Sequence, residues 1–585
     1  MSSARIPMPS RLAIAAVLSG LLLAPMAQAQ DARGVAGPYL AARSASIGSD
    51  YRTASTYFSR ALMQDPGNQM LLENALVSEV GMGDLAAAVP LAQQLQKAGG
   101  ANQISNLVQV ADFVKAGDYA GVTKQLQVEP GAGPLVDGLL KAWAQLGAGE
   151  STAAMASFDA VAKLQGMGPF GLYHKALALA SAGDFEGADK ILSGKGTDAL
   201  RLTRRGLVTH AEILSQLDRP QDALALVSAK FGGEPDPTLE DLRRKLAAGD
   251  KIPFTAVTSP KDGFAEVFYS VAGALSGQAA DSFTLAYARL ADALRPEDTD
   301  VTLLVAGLLE SQGQYDLAAQ TFNRVPRTDP SFPIAELGRA DTLVAAGRTD
   351  AAIEALEQLA KDHSDQAVIW ATLGDTLRRD ERWQAAIGAY DKSVALFDAP
   401  QAGQWPVYYA RGICHERLKD FTGSEADMRT ALKLSPDQPQ VLNYLGYSLL
   451  EQTRDLDEAL GMIEKAVDAR PQDGYIVDSL GWALYRLGRY DEAVPTMEQA
   501  VELMSADPVV NDHLGDVYWA VGRKREAEFQ WRRALSFKPE TDAEANRIRE
   551  KLTKGLDAVL ADEGAKPLHV SQATQAGAPG VKKSD

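Results

Sequence analysis

The feature that most constrains the fold is a 34-residue repeat near the C-terminal end of the chain. Val477–Pro539 contains two blocks that align at this offset. The alignment pairs Gly481 with Gly515, Gly488 with Gly522, Ala493 with Ala527 and Ala500 with Ala534. A repeat of this length, with small residues at fixed places, is typical of two antiparallel helices that stack on the next pair. We therefore expect an array of helix pairs.

The same period extends over most of the chain when position eight is used as a marker, although large residues replace the small one at Leu76 and Val110. The first series of markers is Ala42, Leu76, Val110, Ala142, Ala176 and Ala211, at intervals of 34, 34, 32, 34 and 35 residues. After a gap of 61 residues, the second series is Ala272, Ala306, Ala340, Gly374, Gly412, Gly446, Gly481 and Gly515, at intervals of 34, 34, 34, 38, 34, 35 and 34. The pattern predicts about fourteen helix pairs.

Within each unit the motif resembles the tetratricopeptide repeat (TPR). It has a Leu-Gly pair in the first helix, Gly at position fifteen, small residues at positions twenty and twenty-seven, and a closing Pro. The closing prolines are Pro296, Pro330, Pro436, Pro471 and Pro539. Pro ends a helix because it lacks an N–H and clashes with the preceding turn. The resemblance implies an all-α solenoid, a superhelix of antiparallel helix pairs with a concave groove.

The breaks in the pattern predict a domain organisation. The expected segments are a signal peptide (1–29), a degenerate N-terminal TPR arc (30–231), a joint (232–262), a C-terminal TPR arc (263–539), a capping helix (540–562) and a disordered tail (563–585). In the joint, Leu239–Ala248 favours a helix, and the β-branched Ile252–Ser259 favours an extended segment. The alternative to a joint is one continuous superhelix with a damaged repeat.

The N-terminus has the layout of a secretory signal peptide. Arg5 and Arg11 precede the apolar stretch Leu12–Ala24, and Ala27-Gln28-Ala29 forms an A-x-A cleavage site. The apolar stretch is short for a membrane span, and no Cys near the cleavage point offers a lipid anchor. We expect cleavage after Ala29, no transmembrane span in the mature chain and, in a Gram-negative cell, a periplasmic protein.

The formal net charge of the chain indicates which classes of partner it favours. Removing residues 1–29, which hold two Arg and no acidic residue, takes the formal net charge from −18 to −20. This charge weighs against nucleic acid and anionic membranes, which attract basic patches. It would also attract a basic partner over long range. The simpler alternative is that the charge only keeps a long solenoid soluble.

No residue pattern predicts catalysis, a metal or a cofactor. The six His residues form no metal-binding spacing, and the single Cys, Cys414, precedes His415 at positions ten and eleven of a first helix, which are often packing positions. We therefore predict a protein that is not an enzyme. A TPR-bearing transferase or hydrolase would need an α/β domain, and no stretch alternates strand and helix patterns.

Ligand contacts in TPR domains come from positions two, five, nine, twelve and thirteen of the first helix. The resemblance implies a groove lined by Arg378, Arg379, Tyr409, Asn443, Tyr447, Asp478, Trp482, Tyr485, Arg486, Asp512, Asp516 and Trp519. Aromatic and Arg side chains supply most hot spots of protein interfaces. The alternative for Trp482 and Trp519 is that each packs between adjacent first helices.

Two stretches, D-S-L-G-W-A-L-Y-R-L-G and N-D-H-L-G-D-V-Y-W, are similar to exported bacterial TPR scaffold proteins. That group includes adaptors of carboxy-terminal processing proteases. The resemblance implies a non-enzymatic scaffold or adaptor of the cell envelope that holds partner segments in its concave groove. An envelope protease and a cell-envelope assembly factor are the candidate partners. The alternative from another class is a purely architectural tether of envelope complexes.

Overall fold

The computed structural model describes residues 35–128, 131–194, 202–231, 236–565 and residue 568. The expected signal peptide and almost all of the expected disordered tail lie outside these residues. The described residues form 31 α-helices and one short 3-10 helix, with no strand among them. The all-α prediction is confirmed. By its internal contacts the chain divides into two compact units between Ala355 and Leu356.

The first compact unit contains six helix pairs, one single helix and then further pairs. Its helices are α1 Ala36–Ile47, α2 Tyr51–Leu62, α3 Gln69–Met82, α4 Leu85–Lys97, α5 Gln103–Ala116, α6 Tyr119–Gln125, α7 Pro134–Gly147, α8 Ser151–Ala162, α9 Gly168–Ser181, α10 Phe185–Leu192, α11 Arg204–Gln216, α12 Pro220–Phe231, α13 Pro237–Ala248, α14 Pro260–Leu275, α15 Asp281–Leu294, α16 Thr299–Ser311, α17 Tyr315–Phe322 and α18 Phe332–Ala345. The division between the units falls within α19, Thr349–Asp362.

The second compact unit continues the array and ends with two helices outside it. Its helices are α20 Ala367–Arg379, α21 Trp383–Ala395, α22 Trp405–Arg417, α23 Phe421–Leu434, α24 Pro439–Glu451, α25 Leu456–Ala469, α26 Gly474–Arg486, α27 Tyr490–Leu503, α28 Pro508–Ala520, α29 Lys524–Ser536, α30 Asp542–Lys554 and α31 Leu556–Asp562. The short 3-10 helix, Ala402–Gln404, lies in the insertion that lengthens one repeat interval to 38 residues.

The fourteen predicted pairs are all present in the described chain, and each marker lies on the first helix of its pair. Every marker is buried. Gly481 and Gly515 are each the eighth residue of their helices, α26 and α28. A Cβ on Gly515 would collide with the indole of Trp531, and one on Gly481 would collide with Met497. The small marker therefore permits close packing between the two helices of a pair.

The turn between the two helices of a pair recurrently contains a left-handed Gly followed by a capping Asp. Gly83 and Gly117 have left-handed backbones, with φ of 84° and 71°. Gly adopts this conformation at little cost because it has no Cβ. The Asp that follows each of them, Asp84 or Asp118, accepts a hydrogen bond from the backbone N–H three residues on and so caps the second helix. These short Gly-Asp turns make neighbouring helices antiparallel.

In the first unit, α14 and α15 pack against α3, α5, α7 and α9, which are first helices of the N-terminal pairs. Gln103 Nε2 donates to the Tyr287 hydroxyl at 2.8 Å, and Arg289 Nε donates to the Gly81 carbonyl at 3.0 Å. Arg289 is only 6% exposed, and burial lowers the pKa of its guanidinium to about 10. The chain's own helices thus cover these first helices.

The predicted joint, residues 232–262, lies inside this first unit. The helix expected at Leu239–Ala248 occurs as α13, and Ile252–Ser259 is extended without forming a strand. Glu212 on α11 holds the extended segment, because its carboxylate accepts from the Thr255 backbone N–H at 3.0 Å and from the Thr255 hydroxyl at 2.6 Å. The segment therefore leads the chain back into α14, and the boundary between compact units comes later, within α19.

The predicted capping helix at 540–562 occurs as two helices. Thr541 and Glu544 form the expected capping box at the start of α30. Gly555, at a φ of 83°, ends α30, and α31 begins directly after it. Ile548 and Leu556 are buried in the same core cluster as the last repeat, and Val559 is buried as well. The break at Gly555 was not predicted.

We expect Gly515→Leu to destabilise the second unit by about 1–3 kcal/mol, because its side chain must displace Trp531 from a packed core. Urea unfolding followed by far-ultraviolet circular dichroism would measure the change. The matched control is Gly461→Ala on α25, where an added Cβ meets no atom within 4 Å and should stabilise by roughly 0.5–1 kcal/mol. Equal unfolding midpoints for both variants would contradict the packing role of position eight.

Candidate protein-binding surface

The candidate site is the first-helix surface of the second unit, formed by α20, α22, α24, α26 and α28. Neighbouring first helices contact each other, α20 with α22, α24 with α26, and α26 with α28. All twelve predicted site residues lie on these helices. Arg378 and Arg379 are on α20, Tyr409 on α22, Asn443 and Tyr447 on α24, Asp478, Trp482, Tyr485 and Arg486 on α26, and Asp512, Asp516 and Trp519 on α28.

The two arginines at the end of α20 have different surroundings. The Arg378 guanidinium is half-buried and lies 3.6 Å from Asp375. The Tyr390 hydroxyl donates to the same carboxylate at 2.8 Å. Arg379 is exposed to solvent and makes no ion pair with any described residue. Of the two, Arg379 is therefore the one that can reach a ligand.

Tyr409, Asn443 and Tyr447 form the middle of the surface, and all three are half-buried. The ring of Tyr409 meets that of Tyr444 edge to face, with 5.8 Å between centroids. Burial, with help from Glu451, raises the pKa of Tyr447, so its hydroxyl stays protonated. Asn443 Oδ1 is buried and has no hydrogen-bond partner in the described chain. Such an acceptor is unusual in a native structure.

Trp482 is the centre of an aromatic cluster. Its indole stacks on His513 of α28, with 4.0 Å between centroids and an interplanar angle of 14°, and on Tyr485 at 4.8 Å and 19°. Its Nε1 donates to Glu451 at 3.1 Å, and Arg486 donates to the same oxygen at 2.8 Å. Trp482 thus packs between adjacent first helices, as the alternative predicted, and it also stays half-exposed.

Asp478 is buried and faces His513, whose Nδ1 lies 3.0 Å from both carboxylate oxygens. Burial alone would lower the pKa of His513. The negative charge of Asp478, assisted by Asp512 and Asp516, outweighs burial and raises this pKa above its ordinary value. The imidazole is held over the Trp482 ring, where the face of the aromatic ring favours its protonated form.

At the C-terminal end, the capping helices cover part of the predicted surface. Lys551 on α30 is buried, and its Nζ lies 2.8 Å from Asp512 and 2.7 Å from Asp516. Asp516 also accepts from Trp531 Nε1 at 2.9 Å, and burial raises the pKa of its carboxyl against the lowering effect of Lys551. Trp519 Nε1 donates to Asp557 on α31 at 2.9 Å. These three predicted site residues contact the chain itself.

The first-helix surface therefore has a capped part, on α28, and an uncapped part, on α20 to α26. Three polar partners within it, Glu451, His513 and Lys551, were not among the predicted residues. Glu451 had a usable signal, because it precedes Arg486 by one repeat, whereas the residue one repeat after Asp478 is Asp512 and His513 lies one position further. Residues one repeat apart lie side by side on adjacent first helices. Lys551 lies outside the repeats and had no such signal.

The described residues contain no group of three or more His, Cys, Asp or Glu side chains arranged to hold a metal ion. Cys414 is fully buried, and burial raises the pKa of its thiol to about 11, so it is a protonated packing residue. His415 Nδ1 lies 2.9 Å from Asp420 instead of facing the thiol. Among the helices that the structure describes, none combines the length and the apolar character that crossing a bilayer requires.

Comparison with known proteins identifies the repeat. The family model described as tetratricopeptide repeat matches residues 277–332, 337–402, 409–474 and 445–509. The TPR repeat-containing protein PA4667 of Pseudomonas aeruginosa is 29% identical over 183 residues, which cover 31% of this chain and 30% of that protein. The E3 ubiquitin-protein ligase CHIP of Arabidopsis thaliana is 31% identical over 111 residues, 18% of this chain and 38% of that protein. The chain spans about a third of the length of these relatives.

Solved structures were compared as well. The APC/C hetero-tetramer Cut9-Hcn1 matches with a TM-score of 0.37 and 16% identity, over 94% of this chain and 99% of that one. A tetratricopeptide repeat protein from Parabacteroides merdae matches with a TM-score of 0.36 and 13% identity, over 43% of this chain and 97% of that one.

We expect the His513–Asp478 pair to make stability depend on pH. Because the folded pKa of His513 is raised, the pair contributes fully below the unfolded pKa of roughly 6.5 and its contribution is lost as pH rises through the folded pKa. Nuclear magnetic resonance titration of His513 would show a lower pKa in Asp478→Asn than in the wild type. The control is Asp491→Asn, an exposed carboxylate on α27. An unchanged His513 titration in Asp478→Asn would contradict this coupling.

Proposed function

Since the chain carries tetratricopeptide repeats, we propose that it is a non-enzymatic scaffold that binds a segment of a partner protein on the uncapped part of its first-helix surface. TPR arrays are protein-interaction scaffolds, and the described residues offer no metal cluster and no activated thiol. The observation that carries the proposal is the Trp482 cluster. It presents a half-buried indole beside an exposed Arg486 on the first-helix surface.

The uncapped part has the composition of an interface hot spot. Tyr475, on the same helix as Trp482, is 62% exposed, and large exposed aromatic side chains are enriched where proteins bind each other. Glu451 ties the Trp482 indole and the Arg486 guanidinium together, which fixes both side chains before binding. A partner therefore meets a preorganised surface and has fewer rotamers to immobilise.

Charge influences the choice of partner through the net charge of the whole chain and not through the aspartates of this surface. Lys551 pairs with Asp512 and Asp516, and His513 pairs with Asp478, so these carboxylates support the fold first. The attraction for a basic partner comes instead from the overall charge, −20 after loss of residues 1–29. Such attraction accelerates encounter and weakens as salt rises. Arg379 and Arg486 are the local groups that can pair with a partner carboxylate.

The test is a pull-down that uses Trp482→Ala/Arg486→Ala as bait beside the wild type. We expect the double variant to recover the specific partner at least about tenfold less well, because truncating a hot spot costs ~2 kcal/mol or more. The bait proteins are incubated with an extract of the cell envelope, and the recovered partners are identified by mass spectrometry.

The matched control is Phe529→Ala/Arg532→Ala. It removes an aromatic and an Arg of comparable size from α29, a second helix, where Phe529 is 60% exposed and the Arg532 side chain 70% exposed. Circular dichroism and thermal melting must first show that both variants are folded. If the Trp482/Arg486 variant recovers the same proteins in the same amounts as the wild type, the uncapped part is not the binding surface.

A specific observation also favours the second candidate, a purely architectural tether. The chain's own α14 and α15 cover first helices of the N-terminal pairs, and α30 covers part of α28. A tether would use other surfaces to join proteins. In that case the Phe529/Arg532 control, and not the Trp482/Arg486 variant, would lose partners in the same pull-down.

We also propose that the scaffold acts in the cell envelope, in the periplasm of a Gram-negative cell, where a processing protease or an envelope assembly factor would be its partner. The supporting observation is the pattern of residues 1–29, in which Arg5 and Arg11 precede an apolar stretch and an A-x-A site. We expect the N-terminus of the protein isolated from the producing cell to begin at Gln30, as mass spectrometry of its N-terminal peptide would show. Ala27→Leu/Ala29→Leu should block cleavage. Recovery of the full-length chain from the cytoplasmic fraction would contradict export.

A further inference from the structure

The first unit contains a cavity of about 440 Å³ that the proposed function does not use. It lies between α9, the start of α11, α14 and α16. Its lining includes Phe170, Leu202, Tyr269, Ser270, Gly273 and Leu304. Most of these side chains are apolar or aromatic, and a few polar groups converge among them. This size and composition are typical of small-molecule sites.

The floor of the cavity is an ordered network of charges. Arg205 Nε lies 2.8 Å from Glu266, and its Nη2 lies 2.6 Å from Asp298. The second oxygen of Glu266 accepts from the Tyr173 hydroxyl at 3.1 Å. The Glu266 side chain is only 1% exposed and that of Arg205 12%. A buried ion-pair network contributes little net stability, so its position at a cavity is more consistent with a rigid binding site than with a stabilising element.

The charges of this network are paired with one another. Arg204 bonds Asp236 through Nε and Nη2 and lies 3.2 Å from Asp300. Asp300 also lies 3.1 Å from Arg205, and Arg295 lies 3.4 Å from Asp298. An anion entering the cavity would find no unpaired counter-charge there, because the network holds four carboxylates and only three guanidinium groups. It would lose its hydration without compensation, which is costly for an ionised group.

The groups left for a ligand are neutral. Tyr269 and Ser270 both line the cavity, are half-buried, and have hydroxyls that make no hydrogen bond with the described residues. Burial raises the pKa of Tyr269 well above its ordinary value, so its hydroxyl remains a donor. Its ring is fixed under the Arg205 guanidinium, 4.6 Å from the centroid. At Gly273 an added Cβ would meet no atom within 4 Å, so the cavity is open beside this helix.

We propose that this cavity binds an uncharged, mostly apolar small molecule that carries a hydroxyl or carbonyl group. Phe170, Leu202 and Leu304 contact its apolar body. Tyr269 and Ser270 form hydrogen bonds with its polar group. The charge network below them holds the aromatic wall in place and discriminates against anionic relatives of the ligand.

The test uses N-phenyl-1-naphthylamine, an uncharged fluorophore that brightens in apolar surroundings, with the full chain. Gly273→Leu places a side chain in the cavity without displacing an atom, so we expect it to weaken binding of the fluorophore by about tenfold or more, equivalent to ~1.4 kcal/mol. The matched control is Gly388→Leu, on the exposed side of α21, where an added Cβ also meets nothing. It should bind as the wild type does.

Competition then tests the chemistry of the ligand. Decanol, decanoate and decylammonium share one alkyl chain and differ in the charge of the head group. We expect decanol to displace the fluorophore at the lowest concentration. Equal affinity of the wild type and Gly273→Leu would overturn the site, and stronger displacement by either charged compound would overturn its preference for an uncharged ligand. If Gly273→Leu loses helical signal, Ala274→Leu at the exposed mouth replaces it with the same expectations.

Discussion

The structure depends on the close approach of the two helices in each pair at position eight of the first helix. At Gly374 an added Cβ would lie 2.6 Å from the Tyr390 ring, and at Gly515 it would collide with Trp531. A large side chain on the second helix thus occupies the space that the small residue leaves. Where this packing recurs about every 34 residues within a compact unit, successive pairs stack in a similar way, and residues one period apart lie side by side on neighbouring first helices.

This constraint explains what the sequence could predict and what it could not. The helix pairs, their Gly turns and the capping box are local, so residues close in the chain determine them. The packing of α14 and α15 on the first helices of the N-terminal pairs is not local. The Gln103–Tyr287 hydrogen bond joins residues 184 positions apart, and no repeat interval relates them. The break in the marker series correctly located an irregular segment, but the direction of the chain after it depends on contacts with Glu212 on α11.

The candidate surface likewise combines features that the sequence could predict with features that it could not. All twelve residues taken from the TPR pattern lie on first helices, because position in the repeat determines the helix face. Their partners were less predictable. Glu451 could have been found, since it precedes Arg486 by one repeat, and its contacts with Trp482 and Arg486 then follow from geometry. The Lys551 contacts could not, because α30 lies outside the repeats and Gly555 decides where it ends.

First-helix surfaces in this chain are either covered by other helices of the chain or left uncapped. The two cases differ in whether their polar groups find partners within the chain. Where the chain covers them, the polar groups obtain internal partners, as Asp516 does from Lys551 and Trp531. Where the surface stays uncapped, Asn443 Oδ1 is buried without a partner in the described chain, and the Trp482 indole stays half-exposed. The Asn443 oxygen is inaccessible to a bound segment, so its cost of ~1–3 kcal/mol as an unpaired buried acceptor falls on the fold itself. The Trp482 indole is partly exposed, so it is the group through which the proposed partner would contact the uncapped part.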